Sequence, residues 1–176
     1  MTSARHRVGL GYDVHPFALA DTHRPLVLGG VTIDGSPGLA GHSDADTVEH
    51  AVADALLGPA GLGDLGTMYP ASDERYRNAN SMQLLADVAA RAAAAGWRVE
   101  NVDVVIAAEA PRLAPFVDAM SRNVSAALTP LALADDHTVF VSVRAKRGEG
   151  LGFVGRVEGV AAWAVAMLVG APEDLT

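Results

Sequence analysis

The chain has 176 residues, half of them hydrophobic but only 5% aromatic, with a formal net charge of -8. That length suits one domain with a core of Ala, Val and Leu, and the acidic balance argues against non-specific binding to nucleic acid or to an anionic membrane. The lack of cysteine excludes disulfides, thiolate ligands and a cysteine nucleophile.

Residues 1–7 are polar and basic with no apolar stretch behind them, so no signal peptide is expected and the chain reads as cytoplasmic. Residues 7–12 read as a strand, and the strand character carries into Asp13-Val14-His15. Residues 26–33 read as a second strand and 34–41 as a Gly/Pro loop. A helix is expected from Ser43 to about Gly58. Its start, Ser43-x-x-Asp46, resembles a capping box, and Val48, Val52, Ala55 and Leu56 form its apolar face. Residues 61–80 form a polar loop of a length that compact domains keep for function or flexibility. A second helix covers 81–95 and stops at Gly96. A strand follows over 97–108, with Val102, Val104 and Ile106 alternating. The third helix spans 114–128, carrying Phe116, Met120 and Val124 on one side. Residues 138–146 read as a strand, with Val139, Val141 and Val143 in register. A last helix is expected from near Gly155. The apolar run 159–170, too short to cross a bilayer, reads as buried helix. This alternation predicts a sheet covered by helices, and a core of small side chains hints at self-association.

Four groups of residues carry chemistry. Asp13 and His15 lie two apart on a strand, so both leave one face. With His50 on the first helix they offer an oxygen and two imidazoles, a donor set suited to Zn²⁺ or a similar ion with one position open. On that helix Asp46, His50 and Asp54 share a face. A solvated face fits this spacing as readily as a ligand flanked by carboxylates. Gly41-His42-Ser43 stands at the expected helix entrance, either as an anion site or as an ordinary cap. The stretch Gly148 to Arg156 is glycine-rich and accompanied by Lys146, Arg147 and Arg156. It could cradle a phosphate, with Glu149 holding a hard cation, or be a tight turn with surface charges. Ala108 to Ala114 forms a compact turn in which Arg112 could meet phosphate, and a purely structural turn fits equally. His6, His23 and His137 read as surface residues.

The stretches GLGYDVHPF, LAGHSDADTVEHAVADALLGPAGLGDLG, NVDVVIAAEAPRL and GEGLGFVGRVEG together resemble the 2-C-methyl-D-erythritol 2,4-cyclodiphosphate synthase family, from Val8 to about Val169. The resemblance implies an α/β (α+β sandwich) subunit with a mixed β-sheet covered on one face by helices. It implies a homotrimer with active sites between subunits. It further implies a phosphorus-oxygen lyase that cyclises a cytidylyl diphosphate substrate with release of CMP, in non-mevalonate isoprenoid precursor synthesis. Zn²⁺ or another divalent transition metal would sit on Asp13, His15 and His50. Mg²⁺ or Mn²⁺ would join Glu149 and the substrate diphosphate. His42 and Arg147 would be catalytic.

Substrate contacts carried over with the resemblance begin at Asp13, Val14 and His15 and continue through His42, Ser43 and Asp54. Asp64, Leu65 and Gly66, then Tyr69, Pro70, Ala71, Ser72 and Asp73, would complete the erythritol pocket. Ala108, Glu109, Ala110, Pro111, Arg112, Leu113 and Ala114 would hold the cytidine and its phosphates with Lys146, Arg147, Gly148 and Glu149. Phe153 and Arg156 would lie in the substrate-contact and axial regions. Three positions depart from the family pattern. Arg147 replaces a common threonine, Ala71 a frequent acid, and Val157 a usual glycine, a replacement expected to crowd the start of the last helix. A metal-dependent phosphoesterase and a non-catalytic nucleotide-binding module are the two other functions compatible with these residues.

Overall fold

The computed structural model describes residues 5–19, 23–134 and 137–170, so residues 1–4 of the basic N-terminal segment lie outside it. Strand β1 (Arg5–Pro16) includes the Asp13-Val14-His15 triplet. Residues 26–33, expected as one strand, form a hairpin of β2 (Leu26–Leu28) and β3 (Val31–Ile33). Gly29 and Gly30 turn its corner at positive φ, a conformation that Gly-Gly adopts without a Cβ penalty. Helix α1 spans Thr47–Ala60. The polar loop after it contains a short helix, α2 (Leu65–Met68), and a 3₁₀ turn at Glu74–Tyr76. Helix α3 (Ser81–Ala94), strand β4 (Trp97–Ala107), helix α4 (Val117–Ala127) and strand β5 (Phe140–Lys146) follow. Among the described residues no helix is long and apolar enough to cross a membrane.

The last element corrects the expectation of a helix. Only one turn, α5 (Gly152–Gly155), is helical, and the apolar run is strand β6 (Gly159–Gly170). Every position of that run is apolar or glycine, so its sequence shows neither a 2.0 nor a 3.6 period. Its place in the sheet explains why. β6 is a central strand in the order β1-β6-β4-β5, antiparallel to β1 and β4, while β4 and β5 run parallel. Ala162, Ala164, Ala166 and Leu168 are buried beneath the helices, and Trp163, Val165, Met167 and Val169 alternate with them on the other face. Both faces are apolar for different reasons, and the alternation is hidden. The sheet is mixed, and the helices pack against one of its faces.

The start of α1 also differs from the expectation. Asp46, not Ser43, caps the helix, accepting from the amides of Val48 (3.1 Å) and Glu49 (3.3 Å). The same carboxylate accepts from Gly29 and Gly30 at 2.8 and 2.7 Å, tying the helix to the hairpin corner. Asp46 is therefore a buried cap and does not flank a ligand. At the far end Gly61, rather than Gly58, closes the helix in the left-handed region. Val157 likewise sits at φ 58, after α5 and ahead of β6. That explains the usual glycine there in backbone terms rather than by helix crowding, since a β-branched residue is strained in that region.

Close approach of α1 to β1 depends on Gly9 and Gly11. A Cβ on either would stand 1.9 Å from the carbonyl oxygen of Ala55 or Ala51. Two and four residues beyond Gly11 on the same strand face come Asp13 and His15, and His50 immediately precedes Ala51 on the helix. The glycines thus set the separation at which the three ligand candidates meet.

Glu49 points into the core at 1% exposure, and neither carboxylate oxygen has a hydrogen-bond partner among the described residues. Burial, with the charges of Asp46 and Asp44, pushes its carboxyl well above the ordinary 4.5. Below the unfolded-chain value both states are protonated and the group is neutral in both. Above it the unfolded chain ionises freely and the folded chain does not, so stability falls as pH rises. Glu49→Leu should therefore raise unfolding free energy at pH 7 by about 2 kcal/mol, with a smaller gain at pH 4. Denaturant unfolding at the two pH values measures both, and a less stable variant at pH 7 would contradict the absence of a partner.

Candidate metal centre and adjoining clefts

Strand alternation puts Asp13 and His15 on the helix-covered face of β1, and α1 brings His50 over them. Asp13 Oδ2 lies 3.1 Å from both His15 Nε2 and His50 Nδ1, and those two nitrogens are 3.4 Å apart. One donor atom from each residue falls within 4.8 Å of the others, the only such group among the described residues. The remaining ring nitrogens are held from behind. His15 Nδ1–H donates to the carbonyl of Ala40 at 2.8 Å. His50 Nε2 is 2.9 Å from Ser81 Oγ and 3.2 Å from Ser43 Oγ, and Ser81 Oγ donates in turn to Asp44. Such outer contacts fix the orientation of ligating imidazoles.

Burial works against ionisation of Asp13, but the hydrogen bonds to His15 and His50 outweigh it and bring its carboxyl down to about 2. Burial also disfavours the His15 cation, yet the bond to Asp13 prevails and raises that imidazole above its usual 6.5. A carboxylate and two imidazoles converging on one point, with their other atoms already satisfied, fit a divalent ion.

A cleft of about 260 Å³ opens beside this triad. His42, Ser43, Asp54, Leu65, Gly66, Tyr69, Ala71 and Leu84 line it with the three ligand candidates. His42 stands in the loop ahead of α1, not in its first turn. Its Nε2–H donates to Asp73 O at 3.1 Å. Asp54 Oδ1 accepts from Leu65 N at 2.7 Å, and burial raises its carboxyl above the usual range. Tyr69 OH donates to Asp87 and fixes one wall.

Several expected contacts lie elsewhere. Val14 points to the opposite sheet face, and exposed Asp64 caps α2 through Thr67 N at 2.7 Å. Pro70, Ser72 and Asp73 do not line the cleft. Leu84 and the second-layer residues Ala40, Asp44 and Ser81 escaped sequence reasoning, because their roles follow from tertiary placement.

A second cleft, about 560 Å³, lies at the ends of β4 and β5. Ala108, Glu109, Pro111, Arg112, Leu113, Ala114, Ala145, Lys146 and Arg147 line it. Three cations therefore face an otherwise small-residue wall. Glu109 pairs with Arg147 through one oxygen and accepts from Gly148 N at 2.9 Å through the other, and the guanidinium draws the Glu109 carboxyl below its usual range. Exposed Glu149, at φ 51, acts on the Arg147 charge from the rim. Ala110, Gly148, Phe153 and Arg156 do not line this cleft, and Arg156 pairs with Glu158 at 2.7 Å.

The two clefts share one end of the sheet. Asp13, Ala162, Ile106 and Ala145 occupy one row across β1, β6, β4 and β5. Three inter-strand gaps separate the clefts by ~14 Å.

A sequence model of the YgbB family matches residues 6–169. The chain is similar to the 2-C-methyl-D-erythritol 2,4-cyclodiphosphate synthase of Bordetella avium, 49% identical over 162 residues that cover 92% of this chain and 94% of that protein. Among solved structures, the bifunctional IspDF from Campylobacter jejuni matches with TM-score 0.85 and 38% identity, over 97% of this chain and 44% of that longer one. The CDP complex of IspF from Plasmodium falciparum matches with TM-score 0.77 and 28% identity, over 94% of this chain and 96% of that one.

Proposed function

Because the chain belongs to the YgbB family, that of the 2-C-methyl-D-erythritol 2,4-cyclodiphosphate synthases, we propose that its two clefts divide one substrate, 4-diphosphocytidyl-2-C-methyl-D-erythritol 2-phosphate. The enzyme converts it to 2-C-methyl-D-erythritol 2,4-cyclodiphosphate and CMP, a step of non-mevalonate isoprenoid precursor synthesis. The convergence of Asp13, His15 and His50 beside a polar cleft carries this reading. The likenesses do not favour a phosphoesterase or a binding module.

In the reaction an oxygen of the 2-phosphate bonds to the β-phosphorus. The bond from that phosphorus to the oxygen bridging the α-phosphate breaks, and the bridging oxygen departs with CMP. A phosphate monoester with second pKa ~6 is mostly dianionic at pH 7, so the nucleophile needs no base. The obstacle is charge: unit charges ~4 Å apart repel by ~1 kcal/mol in water and ~4 kcal/mol at an effective dielectric of ~20. Asp13, His15 and His50 would hold a divalent ion, for which Zn²⁺ suits the donors, and when bound it would supply positive charge and Lewis-acid polarisation to the phosphate oxygens. Glu149 would share Mg²⁺ or Mn²⁺ with the substrate diphosphate.

The chain's own residues do the positioning. His42 and Ser43 face the methylerythritol phosphate, and Asp54 offers its second carboxylate oxygen to the erythritol hydroxyls. Cytidine and its phosphates occupy the Ala108–Arg147 cleft, in keeping with the CDP held by the Plasmodium falciparum relative. Arg112, Lys146 and Arg147 offset diphosphate charge, Arg147 once released from Glu109. Both reacting phosphates belong to one molecule, so orientation supplies much of the acceleration.

The subunit is read as one of three. Val8, Leu10, Tyr12, Val14, Trp163 and Val165 are exposed on the face of β1 and β6 that the helices leave bare. Monomeric soluble proteins rarely expose such a continuous apolar patch. Packing copies through this face would bring the metal cleft of one subunit toward the cytidine cleft of the next, in the cytoplasm. The reading is tested by incubating the protein with the cytidylyl substrate, Zn²⁺ and Mg²⁺ and recording phosphorus NMR. A cyclic diphosphate with stoichiometric CMP is expected. A linear phosphate would make the enzyme a phosphoesterase, and binding without CMP would make it a binding module.

A further inference from the structure

His42 and Ser43 sit in a loop, residues 38–46, that has no helical or strand hydrogen bonding beyond the single bridge between Phe17 and Leu39. Loops of this kind are mobile unless something outside them holds their backbone. On one side the loop is tied to the segment after α2. Asn78 N donates to His42 O at 2.8 Å, and Asp44 N donates to Ala79 O at 3.0 Å. Ser81 N and Ala40 N add bonds to Asp44 Oδ2 and Pro16 O at its two ends, and Arg24 grips the backbone between them. The Arg24 guanidinium donates through Nη1 to Gly41 O at 3.0 Å and through Nη2 to Ser43 O, and the Arg24 main-chain carbonyl accepts from Gly38 N at 3.0 Å. The two carbonyls in the guanidinium fork are those on either side of His42.

We propose that Arg24 is a positioning residue of the cyclisation: by clamping the carbonyls of Gly41 and Ser43 it fixes the backbone that aims His42 and Ser43 into the metal cleft. Arg24 does not line that cleft, so it acts through the loop and not on the substrate. The planar fork is suited to this, because two N–H groups at fixed spacing meet two acceptors at once, whereas an ammonium on a flexible stem does not. Displacements of ~1 Å in a catalytic group can cost ~100-fold in rate, which is why a clamp away from the chemistry matters. The three ligand candidates are held separately by β1 and α1, and Ala40, whose carbonyl orients His15, is fixed by its own amide on Pro16 O at 2.8 Å. The clamp therefore reaches the metal ligands only through outer contacts, the Ser43 Oγ beside His50 and the Arg24 charge near His15.

The inference rests on the function proposed above, and the experiment separates the two. Arg24→Ala should lower kcat for CMP release by ~10- to 100-fold, with KM and bound metal changed less than about threefold. In the metal-free protein, hydrogen exchange at the amides of Asp44 and Asn78 should quicken about tenfold or more, while amides inside α1 keep their rates. In a His42→Ala background, Arg24→Ala should add less than about a twofold loss, since both changes disable one unit. Arg24→Lys should recover only part of the rate, and it carries the same measurements if the alanine variant does not fold. Unchanged exchange and an unchanged kcat, or losses that multiply with His42→Ala, would overturn the role of Arg24. A wild-type chain that releases no CMP would overturn the functional reading, while the exchange rates would still decide whether Arg24 holds the loop.

Discussion

His50→Ala is expected to lose the bound divalent ion and to release CMP about a thousandfold more slowly, while keeping its fold. A bound ion that offsets phosphate charge is worth several kcal/mol in the transition state, and each ~1.4 kcal/mol is a factor of ten. Asp13 and His15 would remain, but two donors on one short strand segment do not close around an ion as three do. The fold should survive because α1 is seated by contacts elsewhere. Val48, Ala51, Val52, Ala55 and Leu56 are buried along it, and Gly9 and Gly11 admit it to the sheet. Alanine is also the residue most favourable to a helix interior. Metal analysis, circular dichroism and CMP release on one preparation test all three statements. A variant that holds a stoichiometric ion with undiminished affinity would show that a different residue completes the site. A variant that unfolds would instead assign the Ser81 and Ser43 contacts of His50 to stability.

The triad was legible in the sequence because each half obeys a local rule: a two-residue spacing on a strand, and a histidine on a helix that must pack nearby. Their convergence was not legible, since it depends on how closely α1 approaches β1. That distance is set by the absence of side chains at Gly9 and Gly11, which no periodicity records. Asp46 shows the reverse failure. Its spacing from His50 suggested a shared face, but a carboxylate at the helix start finds four backbone amides within reach and is consumed as a cap. Ser81 and Arg24 act through hydrogen bonds to residues 17 to 38 positions away in the chain, and a spacing rule has no purchase on such contacts. β6 was misread for a related reason. Its inward alanines answer to α1 and its outward Trp163 and Val165 to whatever covers the open face, and a run apolar for two separate reasons conceals its period.

Leu10→Glu should convert the proposed trimer to monomers and remove most of the activity without unfolding the subunit. Leu10 is 68% exposed in the single chain and pairs in register with Val165, with Tyr12 and Trp163 one pleat along, their rings 5.2 Å apart. A charge at an exposed strand position ordinarily changes stability by only about 0.5 kcal/mol. The same charge buried without a partner between subunits costs several kcal/mol at each contact. A loss of ~5 kcal/mol weakens association by a factor of several thousand. The other half of the open face makes a useful contrast. There Arg144 pairs with Asp103 across β5 and β4, so this region is already polar and a glutamate at neighbouring Ser142 should perturb assembly far less. Sedimentation velocity reports the assembly, thermal unfolding reports the subunit, and CMP release against protein concentration links them. If the active site is shared between copies, activity of the Leu10 variant should climb as concentration drives the subunits together. A monomer with full activity would place the whole site within one chain, and an unaltered oligomer would mean that the apolar face of β1 and β6 is covered by something other than another copy.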